Sequence, residues 1–239
     1  SDVYKRQQYE PENEDYYLAR PILDSIPHIK APLVLDVATG TGRLPLALFE
    51  QPHFQGRIIA LDLSRRMIRV AAEKLAEYRD RVTLMHQNAE SLPFPDDTFD
   101  LVTCLEALEF MPQPRVALAE LVRVLRPGGL LVITNRQGTP ARLMPGHTWS
   151  HSELERILRD EFGMVEVDVQ LWQVDYRLAW AIKPGFSPVT GPLPFGEVWQ
   201  CPHCGVVDTV PVDNGWRCLA CETLTPTGSD GVIEVQRIA

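Results

Sequence analysis

A short run of acidic and small residues near the start of the chain has the composition of a ligand-binding loop. Asp36 closes the apolar stretch LVLDV, and Ala38, Gly40 and Gly42 follow it within LVLDVATGTGR. The aliphatic stretch predicts a buried strand. Glycine has no Cβ, so a ligand can lie directly against the backbone at these positions. Because ligands of open α/β sheets bind beyond the carboxyl ends of the strands, we expect a nucleoside-bearing small molecule here.

The residue at the third glycine position of a GxGxxG motif, counted from Gly40 and Gly42, indicates which nucleoside-bearing ligand the loop can bind. A dinucleotide-binding loop has glycine there, which brings the pyrophosphate to the start of the next helix. In this chain the position is Pro45, which suits the first turn of a helix. No GK[ST] motif follows, which excludes a P-loop. We therefore expect an adenosyl ligand that carries an amino acid, with Asp36 near its ammonium group, directly or through water.

Two further segments place polar residues at the same edge of the predicted sheet. RIIALD predicts a second strand that ends at Asp62, whose carboxylate can accept hydrogen bonds from both ribose hydroxyls. The alternative for Asp62 is a solvated residue that caps the next helix. Asn88 and Ala89 follow the third strand, where they can contact the adenine edge, with Leu63 as an apolar wall for the ring. For Asn88, a plain turn residue is an equally good interpretation.

Four segments in a fixed order carry a family resemblance. VLDVATGTGR, ALDLS, NAESLPFPDDTFDLV and ELVRVLRPGG together resemble the class I S-adenosylmethionine-dependent methyltransferases, in particular the small-molecule group that includes the ubiquinone/menaquinone-biosynthesis methylases. The resemblance covers roughly residues 15–183. It implies that Gly40 and Gly42 line the methionine half of S-adenosylmethionine, that Asp62 holds the ribose, and that Asn88 and Ala89 face the adenine. The family often has Asp at the position of Asn88, whose NH₂ group can oppose the adenine amino group.

The resemblance also implies a reaction and candidate residues for it. A sulfonium methyl group is strongly electrophilic, so the protein mainly aligns the reacting atoms, which can lower the barrier by roughly 7–11 kcal/mol. Cys104 and Glu106 follow the fourth strand, where the resemblance places residues that face the methyl group. Glu106 is our first choice for a general base, which is needed only if the acceptor must lose a proton. We expect Cys104 to be a small buried filler, because no histidine is positioned to activate it. Other candidates for the base are Glu109, Tyr16, Tyr17, His147 and His151.

Four of the five cysteines form two CxxC pairs with the spacing of a zinc ribbon. Cys201 and Cys204 belong to CPHCG, and Cys218 and Cys221 belong to CLAC after thirteen intervening residues. Each pair can place two thiolates on one side of a tight turn, and two such turns complete a tetrahedral Zn²⁺ site. Four thiolates leave no open position, so we expect a structural metal. Two disulfides are the alternative in an oxidising compartment.

Charge argues against nucleic acid as a partner. The 239-residue chain has a net charge of −9, and residues 196–239 hold six acids against two arginines. This balance opposes phosphate binding. We expect a small, partly apolar methyl acceptor; an RNA or protein methyltransferase and a non-catalytic adenosyl-binding scaffold are the alternatives. The ribbon is expected to pack on the catalytic domain, cover the substrate opening or mediate self-association. Without a membrane-spanning apolar run or a signal-peptide pattern, we expect a cytoplasmic protein.

The elements that must position these residues alternate along the chain. Five predicted strands separated by helices indicate an α/β fold with a doubly wound, mostly parallel sheet. SHSELERILRDEF then predicts a helix capped by Ser150 or Ser152, and MVEVDVQLWQ and VDYRLAWAIK predict an antiparallel edge pair. The tail begins with SDVYKRQ, which is either an ordinary disordered end or a non-native remnant resembling a translated sequencing adapter. The predicted divisions are a tail (1–14), a methyltransferase domain (15–183), a Pro/Gly-rich linker (184–196) and a small C-terminal zinc-ribbon β module (197–239).

Overall fold

The structure, a computed structural model, describes residues 31–235. The predicted tail (1–14) and the candidate bases Tyr16 and Tyr17 lie outside this range. The described strands form an eight-stranded sheet and a separate three-stranded sheet. In chain order the strands are β1 (Leu33–Val37), β2 (Arg57–Asp62), β3 (Val82–His86), β4 (Phe99–Cys104), β5 (Leu125–Arg136), β6 (Val165–Gln173), β7 (Tyr176–Ile182), β8 (Thr209–Val212), β9 (Gly215–Cys218), β10 (Leu224–Pro226) and β11 (Ile233–Glu234).

Helices cover the large sheet, and their first residues follow capping rules. Ser64 caps the second helix by accepting a hydrogen bond from the Met67 backbone N–H. Ser150, rather than Ser152, caps the fifth, where it forms a reciprocal capping box with Glu153. The helices are α1 (Arg43–Phe49), α2 (Arg65–Lys74), α3 (Pro114–Val124), α4 (Gly138–Arg142) and α5 (His151–Arg156), which continues as a π-helical turn, Ile157–Glu161.

The large sheet confirms the predicted fold class. Its strand order is β11-β3-β2-β1-β4-β5-β7-β6. The pairs from β11 to β5 are parallel, whereas β7 and β6 run antiparallel, as expected for the edge pair. The strand order reverses at β1, which lies between β2 and β4. In doubly wound sheets the ligand crevice opens at this switch point, beyond the carboxyl end of the strand.

The central strand is buried on both faces, which explains its unbroken apolar sequence. Leu33, Val34, Leu35 and Val37 are completely buried. Alternate residues of β1 belong to two different hydrophobic clusters, one on each side of the sheet. Strands of parallel sheets that are covered by helices on both faces show this continuous pattern. Asp36 is the polar exception, and it lies at the carboxyl end of the strand.

The RPGG segment, residues 126–129, is not a plain turn after α3. The structure includes it within β5 as an irregular stretch, because Phe99 pairs with Leu125 and Leu101 already pairs with Leu130. Five residues of β5 therefore accompany two of β4. Gly128 has a φ of 75°, a backbone conformation that glycine adopts without a Cβ penalty.

The segment after β7 packs on the large domain in several places. The Asp100 carboxylate accepts backbone hydrogen bonds from Thr190 and Gly191, within the predicted linker. Phe195 and Trp199 stack with ring centroids 4.9 Å apart and belong to the hydrophobic cluster of the large sheet. Strands β8, β9 and β10 form the separate antiparallel sheet, which agrees with the predicted small C-terminal β module. Strand β11, in contrast, joins the large sheet beside β3.

Candidate active site

A cavity of about 380 Å³ lies beyond the carboxyl ends of β1, β2 and β4. Both acidic residues predicted for the ligand site, Asp36 and Asp62, line it, and so does Glu106. Ala38 and Gly40 contribute the glycine loop, and the apolar part of the wall comes from Leu44, Met67, Leu105, Ala107 and Phe110. The structure thus brings together five of the residues predicted for cofactor binding or catalysis.

The glycine loop has a left-handed backbone at alternate positions. Ala38, Gly40 and Gly42 have φ values of 58°, 58° and 75°. Gly42 is the N-cap of α1 and is required for packing: a Cβ at this position would lie 2.9 Å from Leu75 Cδ1 and 3.1 Å from Ala71 Cβ. Gly42 therefore lets α2 approach the loop closely, and its contribution to the cavity is indirect.

Asp62 joins the glycine loop to the loop that follows β2. Its Oδ2 accepts a hydrogen bond from the Gly40 backbone N–H at 2.8 Å, and its Oδ1 accepts one from the Ser64 N–H at 2.7 Å. Burial raises the pKa of Asp62, although these two donors favour the charged form. A carboxylate has about four lone-pair sites, so two acceptor positions remain for a ligand.

Asp36 has one carboxylate oxygen that is not satisfied. The Thr103 hydroxyl donates a 2.7 Å hydrogen bond to Oδ1. The other oxygen, Oδ2, is buried and has no hydrogen-bond partner among residues 31–235. Burial raises the pKa of Asp36 to about 6. An unpaired buried carboxylate oxygen is costly, so a cationic group in the cavity would be stabilised beside it.

The residues predicted to contact adenine lie outside the lining of this cavity. Leu63 is 53% exposed beside it, as an apolar residue available to cover a ring. The Asn88 side-chain oxygen accepts a hydrogen bond from the Glu90 backbone N–H at 3.0 Å, the geometry of a turn residue. Ala89 is buried in the core. The turn interpretation of Asn88 is therefore the one that its hydrogen bond supports.

Cys104 also lies outside the cavity lining. It is completely buried at the end of β4, where it pairs with Val37 and Ile133 of the neighbouring strands. Burial raises the pKa of its thiol well above the ordinary value. These features are those of a packing residue, the role that we expected for it.

Glu106 lies two residues after the end of β4, lines the cavity and has a strained backbone conformation. Its φ is 53°, which is uncommon for a residue other than glycine. The Thr134 hydroxyl oxygen accepts a hydrogen bond from its backbone N–H and so holds this conformation. Its carboxylate accepts a long hydrogen bond, 3.4 Å, from the Gln173 side chain. Backbone strain of this kind is concentrated at functional sites.

A second acid, Glu109, lies in a buried polar cluster next to this region. Glu109 is 2% exposed, and its Oε1 accepts a 2.7 Å hydrogen bond from the Tyr176 hydroxyl. Its Oε2 has no hydrogen-bond partner in the described part of the chain. The guanidinium of Arg136 lies 3.6 Å from Oε1 and over the rings of Phe110 and Tyr176. Burial and then Glu109 raise the pKa of Tyr176, so its hydroxyl remains a donor.

The remaining candidate bases differ in exposure. His147 is half-buried, and its Nδ1 is buried without a partner within the range that the structure describes. His151 is exposed at the start of α5 and pairs with Glu155. Tyr176 and Arg136 were not predicted, because nothing in the sequences of β7 and β5 marks either side chain as lying near the site. The Tyr176 hydroxyl meets Glu109 across 67 residues of sequence.

The four cysteines of the CxxC pairs converge as the spacing predicts. The sulfur atoms of Cys201, Cys204, Cys218 and Cys221 all lie within 4.8 Å of one another. Cys201 faces Cys221 and Cys204 faces Cys218, each pair with sulfurs 3.6 Å apart. Zinc–sulfur bonds of about 2.3 Å in a tetrahedron place the sulfurs about 3.8 Å apart. The cluster therefore has the size and donor set of a closed zinc site.

Comparison with known proteins identifies the large domain. A family model described as a methyltransferase domain matches residues 35–133. Over these residues the chain resembles a methyltransferase domain. The matched range runs from β1 into β5 and includes the glycine loop, Asp62 and Glu106. Over the range that the structure describes, no helix is long and apolar enough to cross a membrane.

Curated relatives match the same part of the methyltransferase domain. A demethylmenaquinone methyltransferase of Anoxybacillus flavithermus is 44% identical over 104 residues, which are 43% of this chain and 44% of that protein. A ubiquinone/menaquinone biosynthesis C-methyltransferase of a Marinomonas species is 40% identical over 102 residues, 42% of this chain and 41% of that protein. The chain thus spans less than half the length of these relatives.

Solved structures share the fold of the methyltransferase domain more widely. A SAM-dependent methyltransferase from Aquifex aeolicus superimposes with a TM-score of 0.59 at 22% identity, covering 76% of this chain and 98% of that chain. The [4+2]-cyclase SpnF gives a TM-score of 0.61 at 21% identity, covering 72% of this chain and 81% of that chain. At this level of identity the similarity concerns the fold, and function must be argued from the site.

Proposed function

We propose that this chain is an S-adenosylmethionine-dependent methyltransferase that transfers the methyl group to a small, partly apolar acceptor by in-line displacement. The observation that carries the proposal is the pair of acids in one cavity, Asp36 and Asp62, on either side of the glycine loop. The unpartnered oxygen of Asp36 suits an ammonium group, and the free acceptor positions of Asp62 suit a ribose diol. S-adenosylmethionine has both groups and supplies an electrophilic methyl group when it is bound.

The chain's own residues have distinct tasks in this proposal. Asp36 orients the amino-acid end of the cofactor through charge, and Gly40 lets the backbone approach it. Asp62 holds the ribose and keeps the two loops together through its bonds to Gly40 and Ser64. Leu63, which is exposed beside the cavity, covers the adenine ring in this proposal. Holding reacting groups in line is the main contribution that a protein makes to this kind of transfer.

Glu106 is the residue that we propose to take a proton where the acceptor must lose one. It lines the cavity, and its strained backbone is fixed by Thr134. Glu109 and Tyr176 supply a second polar group behind it, in which the Tyr176 hydroxyl already donates to Glu109. We therefore assign proton transfer to Glu106, with the buried Glu109–Tyr176 pair as a neighbouring polar cluster.

A quinone-type ring is the acceptor class that we favour. The curated relatives are named as demethylmenaquinone and ubiquinone/menaquinone C-methyltransferases. In this chain, Leu105, Ala107 and Phe110 give the cavity an apolar wall beside Glu106. An apolar wall with a few convergent polar groups is typical of sites for small, partly apolar molecules.

The cysteine cluster is proposed to hold one structural Zn²⁺ ion. Four thiolates occupy every position of a tetrahedral ion, so the metal organises the module without taking part in methyl transfer. The module is in turn attached to the methyltransferase domain, where Trp216 packs edge-to-face against Phe195 and Trp199. These contacts support a packing role over self-association.

A labelled-methyl assay tests the proposed activity. The full chain is incubated with S-adenosylmethionine labelled in the methyl group and with separate lipid-extract, RNA and protein fractions of bacterial cells. We expect label in the lipid-soluble small-molecule fraction, and we expect Glu106→Gln to lower the rate while binding of S-adenosylhomocysteine stays the same. Label confined to RNA or protein would contradict the small-acceptor proposal.

A non-catalytic adenosyl-binding scaffold is the second candidate, because the same pair of acids would hold the ligand without turnover. In that case the unaltered chain would bind S-adenosylhomocysteine in calorimetry yet transfer no label to any fraction. Asp62→Ala serves as the matched control, since it should weaken binding in either case and shows that the ligand occupies this cavity.

A further inference from the structure

Strand β11, the last strand in the described residues, pairs with β3 at one edge of the large sheet. Strand β3 is in turn the neighbour of β2, whose carboxyl end borders the cofactor cavity. Strand β11 pairs in parallel with β3, with Ile233 opposite Met85 and Glu234 opposite His86. Val232 and Ile233 are buried, which fixes the strand against the domain. The residues that lead into β11 follow directly after the cysteine module. Thr227, just after β10, forms an antiparallel β-bridge with Ile233.

A chain of hydrogen bonds runs from this strand to the loop after β2. The Glu234 carboxylate oxygen Oε2 lies 3.0 Å from His86 Nδ1, and His86 Nε2 lies 3.0 Å from the Leu63 carbonyl oxygen. His86 is only 4% exposed, so water does not replace either partner. The imidazole ring thus lies between two oxygen atoms and has one ring nitrogen within hydrogen-bond distance of each.

The carbonyl at the end of this chain belongs to the cofactor site. Leu63 follows Asp62, whose carboxylate is fixed by the N–H groups of Gly40 and Ser64. His86 holds the same short stretch from the opposite side. The Leu63 backbone is thus held by His86, and the two residues on either side of it, Asp62 and Ser64, line the cavity.

Glu234 has a second contact, which is with the side chain of Arg65 and not with the loop backbone. Arg65, the first residue of α2, donates to Glu234 Oε1 and forms an ion pair with Asp230 at 2.8 Å. Asp230 has no described hydrogen bond to His86 or to the Leu63 backbone, and it lies just before β11 in the same C-terminal segment as Glu234. A substitution of Asp230 therefore serves as a control. It weakens the attachment of this C-terminal segment to Arg65 but leaves the contact between His86 and Leu63 in place.

We propose that Glu234 is a positioning residue for the adenosyl site, acting through His86 on the Leu63 carbonyl. By this route the segment that follows the cysteine module sets the affinity for the nucleoside part of the cofactor. The inference rests on the proposed function. The alternative is that Glu234 only stabilises the fold through an ion pair at the sheet edge.

Calorimetric titration of the full, metal-loaded chain separates these two roles. The probes are S-adenosylhomocysteine and 5′-methylthioadenosine, which lacks the amino-acid end. Glu234→Gln should weaken binding of both probes by about fivefold or more, the scale of one ordinary hydrogen bond. Asp230→Asn should change either by less than about twofold, although each variant loses a charge partner of Arg65. Equal losses in the two variants, or no loss in Glu234→Gln, would overturn the inference.

A second variant tests the connection even if Glu234→Gln is poorly folded. His86→Gln removes the donor to Glu234 and is expected to weaken binding of both probes. If the residues act in series, the double variant His86→Gln/Glu234→Gln should bind no more weakly than the weaker single variant. Additive losses would show that Glu234 acts independently of His86 and would overturn the inference.

The same titrations distinguish the inference from the proposed function. An unaltered chain that binds neither probe would refute the proposed function and with it the role of Glu234. An unaltered chain that binds both probes, with Glu234→Gln binding equally well, would refute the positioning role alone. Thermal unfolding of each variant shows whether a loss of affinity follows a loss of fold.

Discussion

Replacing Asp36 by Asn is expected to stabilise the free protein at neutral pH while weakening its binding of the cofactor. The Asp36 carboxylate is buried, and only one of its oxygens has a described partner, the Thr103 hydroxyl. Burial raises its pKa from the ordinary value of 3.8 to about 6. At about 1.4 kcal/mol for each tenfold change in proton affinity, the charged form costs the folded state about 3 kcal/mol.

The pH dependence of this effect has a definite sign. Well below pH 3.8, Asp36 is protonated in both the folded and the unfolded chain, so its pKa shift contributes nothing to stability. As the pH rises from about 4 to 6, the unfolded chain releases the proton first, and the folded state becomes relatively less stable. Asn carries no charge at any pH and keeps an oxygen that can accept from Thr103. The gain from Asp36→Asn should therefore appear between these pH values and be largest above pH 6.

Urea unfolding at pH 4 and at pH 8 measures this difference. The unfolding free energy of Asp36→Asn, minus that of the unaltered chain, should rise by about 2.4 kcal/mol between the two conditions, because part of the effect is already present at pH 4. Asp80→Asn, at an exposed position, is the matched control and should stay within about 0.5 kcal/mol at both. At pH 8 the Asn variant should also bind S-adenosylhomocysteine more weakly than the unaltered chain. A variant that is equally or less stable at pH 8 would refute the reasoning.

Three further changes test other parts of the site. Gly42→Ala should lower the unfolding free energy by about 1–3 kcal/mol, since its φ is 75° and a Cβ would lie 2.9 Å from Leu75; urea unfolding measures it, and an unchanged midpoint would contradict the packing role. Asp62→Ala should weaken S-adenosylhomocysteine binding by at least ~1 kcal/mol in calorimetry, and unchanged affinity would remove Asp62 from the site. Cys218→Ser should abolish stoichiometric zinc in metal analysis of freshly purified protein and lower the melting temperature; an unaltered chain free of zinc would refute the metal assignment.

The sequence predicts those parts of the fold that have a local signal. The apolar run of β1 is continuous because helices cover both faces of the strand, and this burial selects aliphatic residues at every position but Asp36. Asp36, Gly40 and Asp62 could be placed at one edge because each follows a predicted strand of a parallel sheet. Their meeting in one cavity follows from that arrangement.

Contacts between distant segments had no such signal. The bond from Tyr176 to Glu109 spans 67 residues, and that from His86 to Glu234 spans 148. Each of these residues has a side chain that is common on protein surfaces, so its type and its neighbours in sequence do not reveal burial. Only the pairing of β7 with β5 and of β11 with β3 brings them to the site.

The Pro/Gly-rich segment 184–196 was predicted from its composition to be a linker, but in the structure it is attached to the large domain. Asp100 is buried and accepts hydrogen bonds from Leu33, Thr190 and Gly191 while it pairs with Arg126. Composition reflects the stiffness of an isolated chain, and it contains no information about an acceptor 90 residues away. The segment is therefore held to the sheet at its middle.

These attachments bear on the role of the cysteine module. The C-terminal segment is joined to the methyltransferase domain at the Asp100 carboxylate, through Phe195 and Trp199 in the main hydrophobic cluster, and through β11 on β3. Displacing it would expose apolar aromatic surface and leave β3 as an open sheet edge, both of which promote aggregation. A cover that opens for each acceptor molecule would have to break these contacts in every cycle. The arrangement thus favours a module that is permanently packed on the domain, with its influence on the cofactor site transmitted through β11.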